Sequence, residues 1–400
     1  MHNFFVCLIV GFCVFMLGGC TSSDSSEQKL TASRTVLVYI ATENSLAGQG
    51  FAKKNIQDMI TGAKKLSDNS NLLVFVDAPK ENSKMYRIDK NGQHLVKDFG
   101  ENLLSTDPNV FDSIVGYAEQ HYPSKEYGLV LWSHADGWAP ASKSNPYIQR
   151  YFGIDNNVGS DTSNDGVEMN IEDMALALSK YPKFKFIFSD ACFMQTAEVA
   201  YDLRHVADYL VASPCEIPGP GAPYDLVVPA MFAEPLAVDS IASAYYNGYI
   251  KNYKNSTDYG VVLSVLDCSK IDDFVNITSS LLPQYNSSVT YNVDSLLTYR
   301  SYTNSAYCPY YDMKGEMKQI LSSSDYSSWL AALNAMIVYK ISTPTCFTDF
   351  NPAQYITIDQ NKFSGISGYV SHFYPNTSNW NKQFYTTSWY SAAGWKQKGW

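Results

Sequence analysis

A chain of 400 residues that is 46% apolar, 17% charged and 14% aromatic can bury the core of one large domain or two ordinary ones. That composition excludes general disorder and a small disulfide-stapled scaffold. Twenty-nine Lys and Arg against 39 Asp and Glu leave a net charge of −10, so there is no broad basic surface to neutralise phosphates, and nucleic acid is not an expected partner.

The first residues differ in kind from the rest. Residues 4–17 are an uncharged apolar run of 14, short of the roughly 20 needed to span a bilayer but suited to a signal-peptide core. The run ends at Leu17-Gly18-Gly19-Cys20, which resembles the lipobox of bacterial lipoproteins, although no Lys or Arg precedes it. The resemblance implies loss of residues 1–19, acylation of Cys20 and an exported, membrane-anchored protein, at the outer membrane or cell surface rather than the inner membrane. Residues 20–33 are polar except for Leu30 and read as a tether. Cys192, Cys215, Cys268, Cys308 and Cys346 then remain in the folded part. No C-x-x-C pair and no His at ligand spacing accompanies them, so a structural zinc site is not expected.

Residues 35–41 (TVLVYIA) form a β-branched apolar run and predict a strand. Phe51, Ile56, Met59, Ile60, Ala63 and Leu66 follow at helical spacing. Residues 72–76 predict a second strand, and 84–89 with 94–99, split by Asn91-Gly92, a hairpin. Val110, Ile114, Val115 and Ala118 mark another helix; 127–132 (YGLVLW) is a third buried-type strand, ending in Ser133-His134-Ala135-Asp136-Gly137-Trp138. The stretch 140–166 is loop-like apart from 151–154. Asn170, with Asp173, is a candidate cap for a helix over 171–179.

Residues 184–188 are a fourth strand, running into Ser189-Asp190-Ala191-Cys192; a helix is predicted from Phe193 to Leu203 and a fifth strand over 209–212. Dense Pro and Gly from Pro214 to Pro223 predict a loop over the sheet edge. Helices over 230–253 and 270–283 flank a strand at 260–266. Strands alternating with helices predict an α/β fold, a mostly parallel sheet covered by helices on both faces. A first domain spans 34–228, and 229–400 continues the sheet and adds an α+β subdomain. The last 120 residues hold 14 of the 30 Tyr and 5 of the 7 Trp, so that subdomain is aromatic-rich.

In open α/β sheets reactive residues gather at the carboxyl ends of strands. His134 follows the third strand and Cys192 the fourth. If the two strands are neighbours, about 4.8 Å apart, an imidazole and a thiol share one edge. A free Cys is mostly protonated at neutral pH, and a nearby imidazole can take its proton and later protonate a leaving amine. The helix predicted from Phe193 would point its positive end at the sulfur. The backbone N–H groups of Ala135 and Cys192 are candidates to hold an oxyanion.

The segments 131–138 (LWSHADGW) and 189–195 (SDACFMQ), with 197–201 (AEVAY), 207–213 (ADYLVAS) and 153–155 (GID), resemble the clostripain family of cysteine peptidases in the caspase-like clan. The resemblance covers roughly 34–225. It implies a caspase-like sheet, His134 as general acid/base, Cys192 as nucleophile, and Asp190 in an S1 pocket pairing with a basic P1 side chain, Arg before Lys, of a peptide or protein substrate. Ser213 and Glu216, in the loop bordering the cleft, join that S1 set. Ala135 stands where the family usually has Gly, which adds a methyl group and disfavours positive φ. Family members are often activated by cleavage between the two segments; Arg150 and Lys143 are the candidates here, Arg150 being equally readable as a surface charge.

The chemistry itself needs no cofactor. Asp161 and Asp165, with Glu172 at the twelfth position, partly fit a calcium loop, but Glu168 occupies its core-facing position and no helix precedes it, so a solvated turn is the competing reading. Two further readings stay open: a non-catalytic surface lipoprotein holding glycans or peptides on its aromatic C-terminal part, and a catalytically dead family member. No G-x-S-x-G or H-E-x-x-H is present.

Overall fold

Val36, Val38 and Ile40 alternate along one strand with Leu37, Tyr39 and Ala41, and all six are buried. Both faces of such a strand need cover. The computed structural model describes residues 31–101, 103–138, 151–156, 166–300, 310–348, 355–372 and 378–400, and in it this strand is β1 (Ala32–Ala41). There follow α1 (Phe51–Ala63), β2 (Ser70–Asp77), the hairpin β3 (Ser83–Asp89) and β4 (Gly92–Gly100), α2 (Pro108–His121) and β5 (Ser124–Trp132). Next come β6 (Phe152–Asp155), β7 (Val167–Met169), α3 (Ile171–Leu178), β8 (Phe184–Asp190), α4 (Ala197–Leu203) and β9 (Ala207–Ala212). The chain continues through α5 (Tyr224–Met231), α6 (Asp239–Tyr253), β10 (Val262–Asp267), α7 (Ile271–Leu281), β11 (Tyr311–Asp312), α8 (Met313–Ile320), α9 (Ser323–Met336) and β12 (Ile337–Ser342).

The main sheet runs β12-β10-β9-β8-β5-β1-β2-β3-β4. Its centre, β9-β8-β5-β1-β2, is parallel, while β10, β12 and the β3–β4 hairpin join antiparallel. Helices α1, α5 and α6 bury Met59, Val227, Val228 and Tyr245 against one face, through Val38, Val130 and Phe188. Helices α2, α3, α4 and α7 cover the other, through Leu37, Leu129 and Ile187. This is the caspase-like α/β arrangement. No helix among the described residues is long and apolar enough to cross a membrane.

The aromatic C-terminal part belongs to the core. Trp329, Trp389, Trp395 and Trp400 are buried, and Trp389 stacks on Phe274 of α7 with ring centres 6.0 Å apart. Thr31–Trp400 forms one compact unit. Those four rings are therefore not a stacking platform for sugars. The four described cysteines, Cys192, Cys215, Cys268 and Cys346, are free thiols; Cys308 lies outside the described residues.

Local differences from the sequence expectation have physical causes. The helix expected from Phe193 begins only at Ala197, capped by Thr196. Residues 193–195 pair sideways instead: Phe193 N–H donates to the Cys215 carbonyl at 3.0 Å and Gln195 N–H to that of Ser213 at 3.0 Å, with Phe193 at φ +56. Asn170 makes no cap bond, its amide donating to Asp173 at 3.3 Å. The helix expected over 230–253 is interrupted between α5 and α6, where Pro235 stands.

The buried indole of Trp329 packs on Phe274 and donates to Thr278 Oγ1 at 3.0 Å. Trp329→Ala should cost about 3–5 kcal/mol, read as a fall in urea midpoint at unchanged slope.

Candidate active site

Strands β5 and β8 pair in parallel with Leu131 opposite Ser189 and Trp132 opposite Asp190. His134 and Cys192 each stand two residues beyond that last pair, so the sheet delivers imidazole and thiol to the same edge in matching positions.

The His134 loop is held as a strand extension. Gly153 N–H donates to the His134 carbonyl at 2.8 Å, and Asp136 N–H to that of Tyr151 at 3.2 Å, around the Ala135–Phe152 bridge. In such a bridge Ala135 turns its own N–H to the opposite edge. Neither that N–H nor the N–H of Cys192 has a hydrogen-bond partner among the described residues. Ala135 is not at positive φ; Gly137 is, at +65. A Cβ on Gly137 would meet the Phe193 carbonyl oxygen at 2.5 Å, so glycine is needed two residues later than the family comparison suggested.

Ser45, from the loop after β1, places its Oγ 2.7 Å from His134 Nε2. Sequence reasoning missed it, because a loop serine carries no signal by itself. Its trace was that β1 also ends at this edge, which makes the first polar residues after Ala41 candidates. Burial pushes the His134 imidazole down to about 4. Burial also pushes the Cys192 thiol up to about 12, helped by the charges of Glu216 and Asp136 and opposed by the Ile217 N–H and by Arg300. The Ile217 N–H donates to Sγ at 3.3 Å. The residue keeps some exposed surface, which a substrate needs to reach it. At neutral pH both groups are uncharged, and no hydrogen bond joins them. Catalytic contacts of this kind often tighten only with substrate bound.

Asp190 is buried. Its Oδ2 accepts from Ala222 N–H at 2.8 Å and Tyr224 Oη at 2.9 Å, and its Oδ1 from Tyr245 Oη at 3.3 Å. A carboxylate has about four acceptor positions, so one remains. Burial pushes Asp190 up to about 6, those donors pulling it back. Glu216 is brought to the thiol through the loop that carries Ile217, whereas the Ser213 hydroxyl is engaged within the loop, accepting from Cys215 N–H at 3.0 Å. Lys143, Arg150, Asp161, Asp165 and Cys20 lie outside the described residues. Among the described residues no cluster of three or more His, Cys, Asp or Glu is arranged to hold a metal. A cavity of about 640 Å³ lies between α1 and the β3–β4 hairpin, lined by Ile56, Ile60, Lys53, Lys84 and Tyr86. No Cys or His lines it.

A family model described as the clostripain family, Peptidase_C11, matches residues 38–400. Clostripain of Hathewaya histolytica is 28% identical over 234 residues, 52% of this chain and 43% of that protein, so the match spans less than half the curated relative. A secreted C11 cysteine protease from Bacteroides thetaiotaomicron, solved with an irreversible peptide inhibitor, is 34% identical. That comparison covers 92% of this chain and all of that one at a TM-score of 0.78. An inactive zymogen C11 protease from Parabacteroides distasonis is 29% identical, covering 91% and 98% at 0.75.

A raised thiol beside a lowered imidazole gives a testable resting state. The rate of Cys192 alkylation by iodoacetamide should climb about tenfold per pH unit from 7 to 9, as a neutral thiol requires, whereas a thiolate–imidazolium pair would give a plateau reaching down to pH 6.

Proposed function

This chain belongs to the clostripain family of peptidases, and from that membership we propose that it is a cysteine endopeptidase cutting peptide and protein substrates after basic residues, Arg before Lys. The observation that carries the reading is the β5–β8 register, with His134 and Cys192 at matching positions beyond Trp132 and Asp190. His134 takes the Cys192 proton as sulfur attacks the scissile carbonyl. The oxyanion is received by the N–H groups of Ala135 and Cys192, and the imidazole returns the proton to the leaving amine. A water molecule, deprotonated by the same imidazole, then releases the acyl group. Ser45 orients the ring.

The P1 preference rests on Asp190, with Ser213 and Glu216 as further candidates in the S1 set. A buried carboxylate with one acceptor position left discriminates against an uncharged side chain that cannot fill it. Because its own range is raised to about 6, Asp190 is charged at pH 7 and loses that charge as pH falls through 6. We further propose, from Leu17-Gly18-Gly19-Cys20, an exported, lipid-anchored protein, and, from the position of Lys143 and Arg150 between the two active-site segments, self-activation by cleavage after one of them. The zymogen state of the Parabacteroides distasonis relative supports the last point.

The test is a fluorogenic panel with Arg, Lys, Asp, Asn or Ala at P1. Cleavage should be confined to Arg and Lys, and Cys192→Ala and His134→Ala should each lose roughly 10⁴-fold in kcat. Asp190→Asn should lose about 100-fold on Arg substrates, and the wild-type preference for a basic P1 should fade below pH 6. Cleavage at another residue type would retain the dyad and remove the S1 assignment; no turnover after nicking near Arg150 would favour the dead-enzyme reading.

A further inference from the structure

The two loops that carry His134 and Cys192 leave the sheet after Trp132 and Asp190, and beyond that pair the sheet cannot hold them together. A short ladder from the C-terminal part does so. Tyr299 N–H donates to the Tyr310 carbonyl at 2.7 Å and Asp312 N–H to that of Leu297 at 2.9 Å, which sets Arg300 and Tyr310 side by side. Arg300 is buried, and its Nη1 lies 2.7 Å from Asp136 Oδ1, two residues after His134. Tyr310 Oη donates to the Asp136 carbonyl and lies 3.3 Å from Oδ1. On the other loop Phe193, directly after Cys192, stacks on Tyr310 with ring centres 4.3 Å apart and planes 20° from parallel. The Arg300 guanidinium lies 5.0 Å from the centre of the Phe193 ring. One planar cation thus pairs with the first loop and stacks on the second, which a lysine ammonium could not do equally well.

We propose that Arg300 is a positioning residue of the His134–Cys192 dyad, locking the two loops against each other and setting a positive charge opposite the carboxylates around the thiol; this rests on the dyad reading above. The charges acting on the sulfur are those of Glu216 from its neighbouring loop and Asp136 from the His134 loop, with Arg300 as the opposing cation; Tyr151 beside β6 in turn feels the thiol's charge. Glu168 of β7 feels the charge of Asp136; burial and Asp136 push it up to about 8, so it is largely uncharged at pH 7. Losing Arg300 leaves the partly exposed Asp136 without its cation and removes the charge that favours thiolate.

The test compares the full chain with Arg300→Met, Arg300→Lys and the pair Asp136→Asn with Arg300→Met. Three readouts are taken: kcat and KM on the best peptide substrate, the rate of Cys192 alkylation between pH 7 and 9, and thermal melting. Arg300→Met should lower kcat about 100-fold with KM within about threefold, and slow alkylation about tenfold, one pH unit of thiol shift. Arg300→Lys should restore most of the alkylation rate and only part of kcat. The double variant should bring alkylation back towards wild type without recovering kcat. A wild-type kcat in Arg300→Met, or a lower melting temperature with an unchanged alkylation rate, would overturn the proposal. If Arg300→Met does not fold, the Lys and double variants decide by the same readouts. Cys192→Ala and His134→Ala run alongside: full activity in either defeats the dyad reading, whereas dead controls beside a wild-type-like Arg300→Met defeat only this proposal.

Discussion

Parallel strands joined by hydrogen bonds lie about 4.8 Å apart, and the pairing of β5 with β8 uses that spacing to bring His134 and Cys192 to one edge. A slip of one residue would turn every side chain of one strand to the other face and part the imidazole from the thiol. The register has its own lock: Gly128 lies opposite Phe186, and a Cβ there would sit 2.5 Å from the Phe186 ring. The ring fills the space left by the missing side chain, so the aligned pairing is the one that packs. Trp132 opposite Asp190 follows from it, and then His134 and Cys192.

The electrostatics of the site follow from burial more than from any single pair. Asp136, Glu168 and Asp190 all stand above the ordinary carboxylate range because desolvation is the largest cause for each. Desolvation likewise raises the thiol and lowers the imidazole. A low-dielectric pocket penalises charge of either sign, so both the thiolate and the imidazolium are disfavoured at rest.

The C-terminal part is tied to this edge at several points. Trp138, four residues after His134, is buried against Tyr369 with ring centres 4.9 Å apart and against Phe384 at 6.0 Å. Beyond Cys192, the Gln195 carbonyl accepts from Ser367 N–H at 3.1 Å, its side-chain amide donates to Ser264, and Glu198 accepts from Tyr369 N–H at 3.0 Å. From the aromatic tail, Tyr310 and Tyr369 pack against the loops beyond the sheet, on Phe193 and Trp138 respectively.

Much of this was legible along the chain because the strands announce themselves by local chemistry. A run such as 35–41, β-branched and apolar at both parities, has few alternatives to a strand buried on both faces, and His134 and Asp190-Ala191-Cys192 stand at or just past the ends of such runs. The short-range pattern also located the hairpin at Asn91-Gly92. It failed at Phe193, where helical spacing in 193–203 was overridden by carbonyls of Ser213 and Cys215, partners more than 15 residues away. It was silent on Ser45 and Arg300, which reach His134 and Asp136 because β1 lies beside β5 and because 297–300 pair with 310–312 next to the His134 loop. By itself the sequence determined most of the strands and helices and the mostly parallel α/β class, since these depend on neighbours in the chain. Only the tertiary structure decided which groups orient the imidazole, oppose the thiol's acids and fill the acceptor positions of Asp190, because contacts between residues distant in sequence leave no periodic trace.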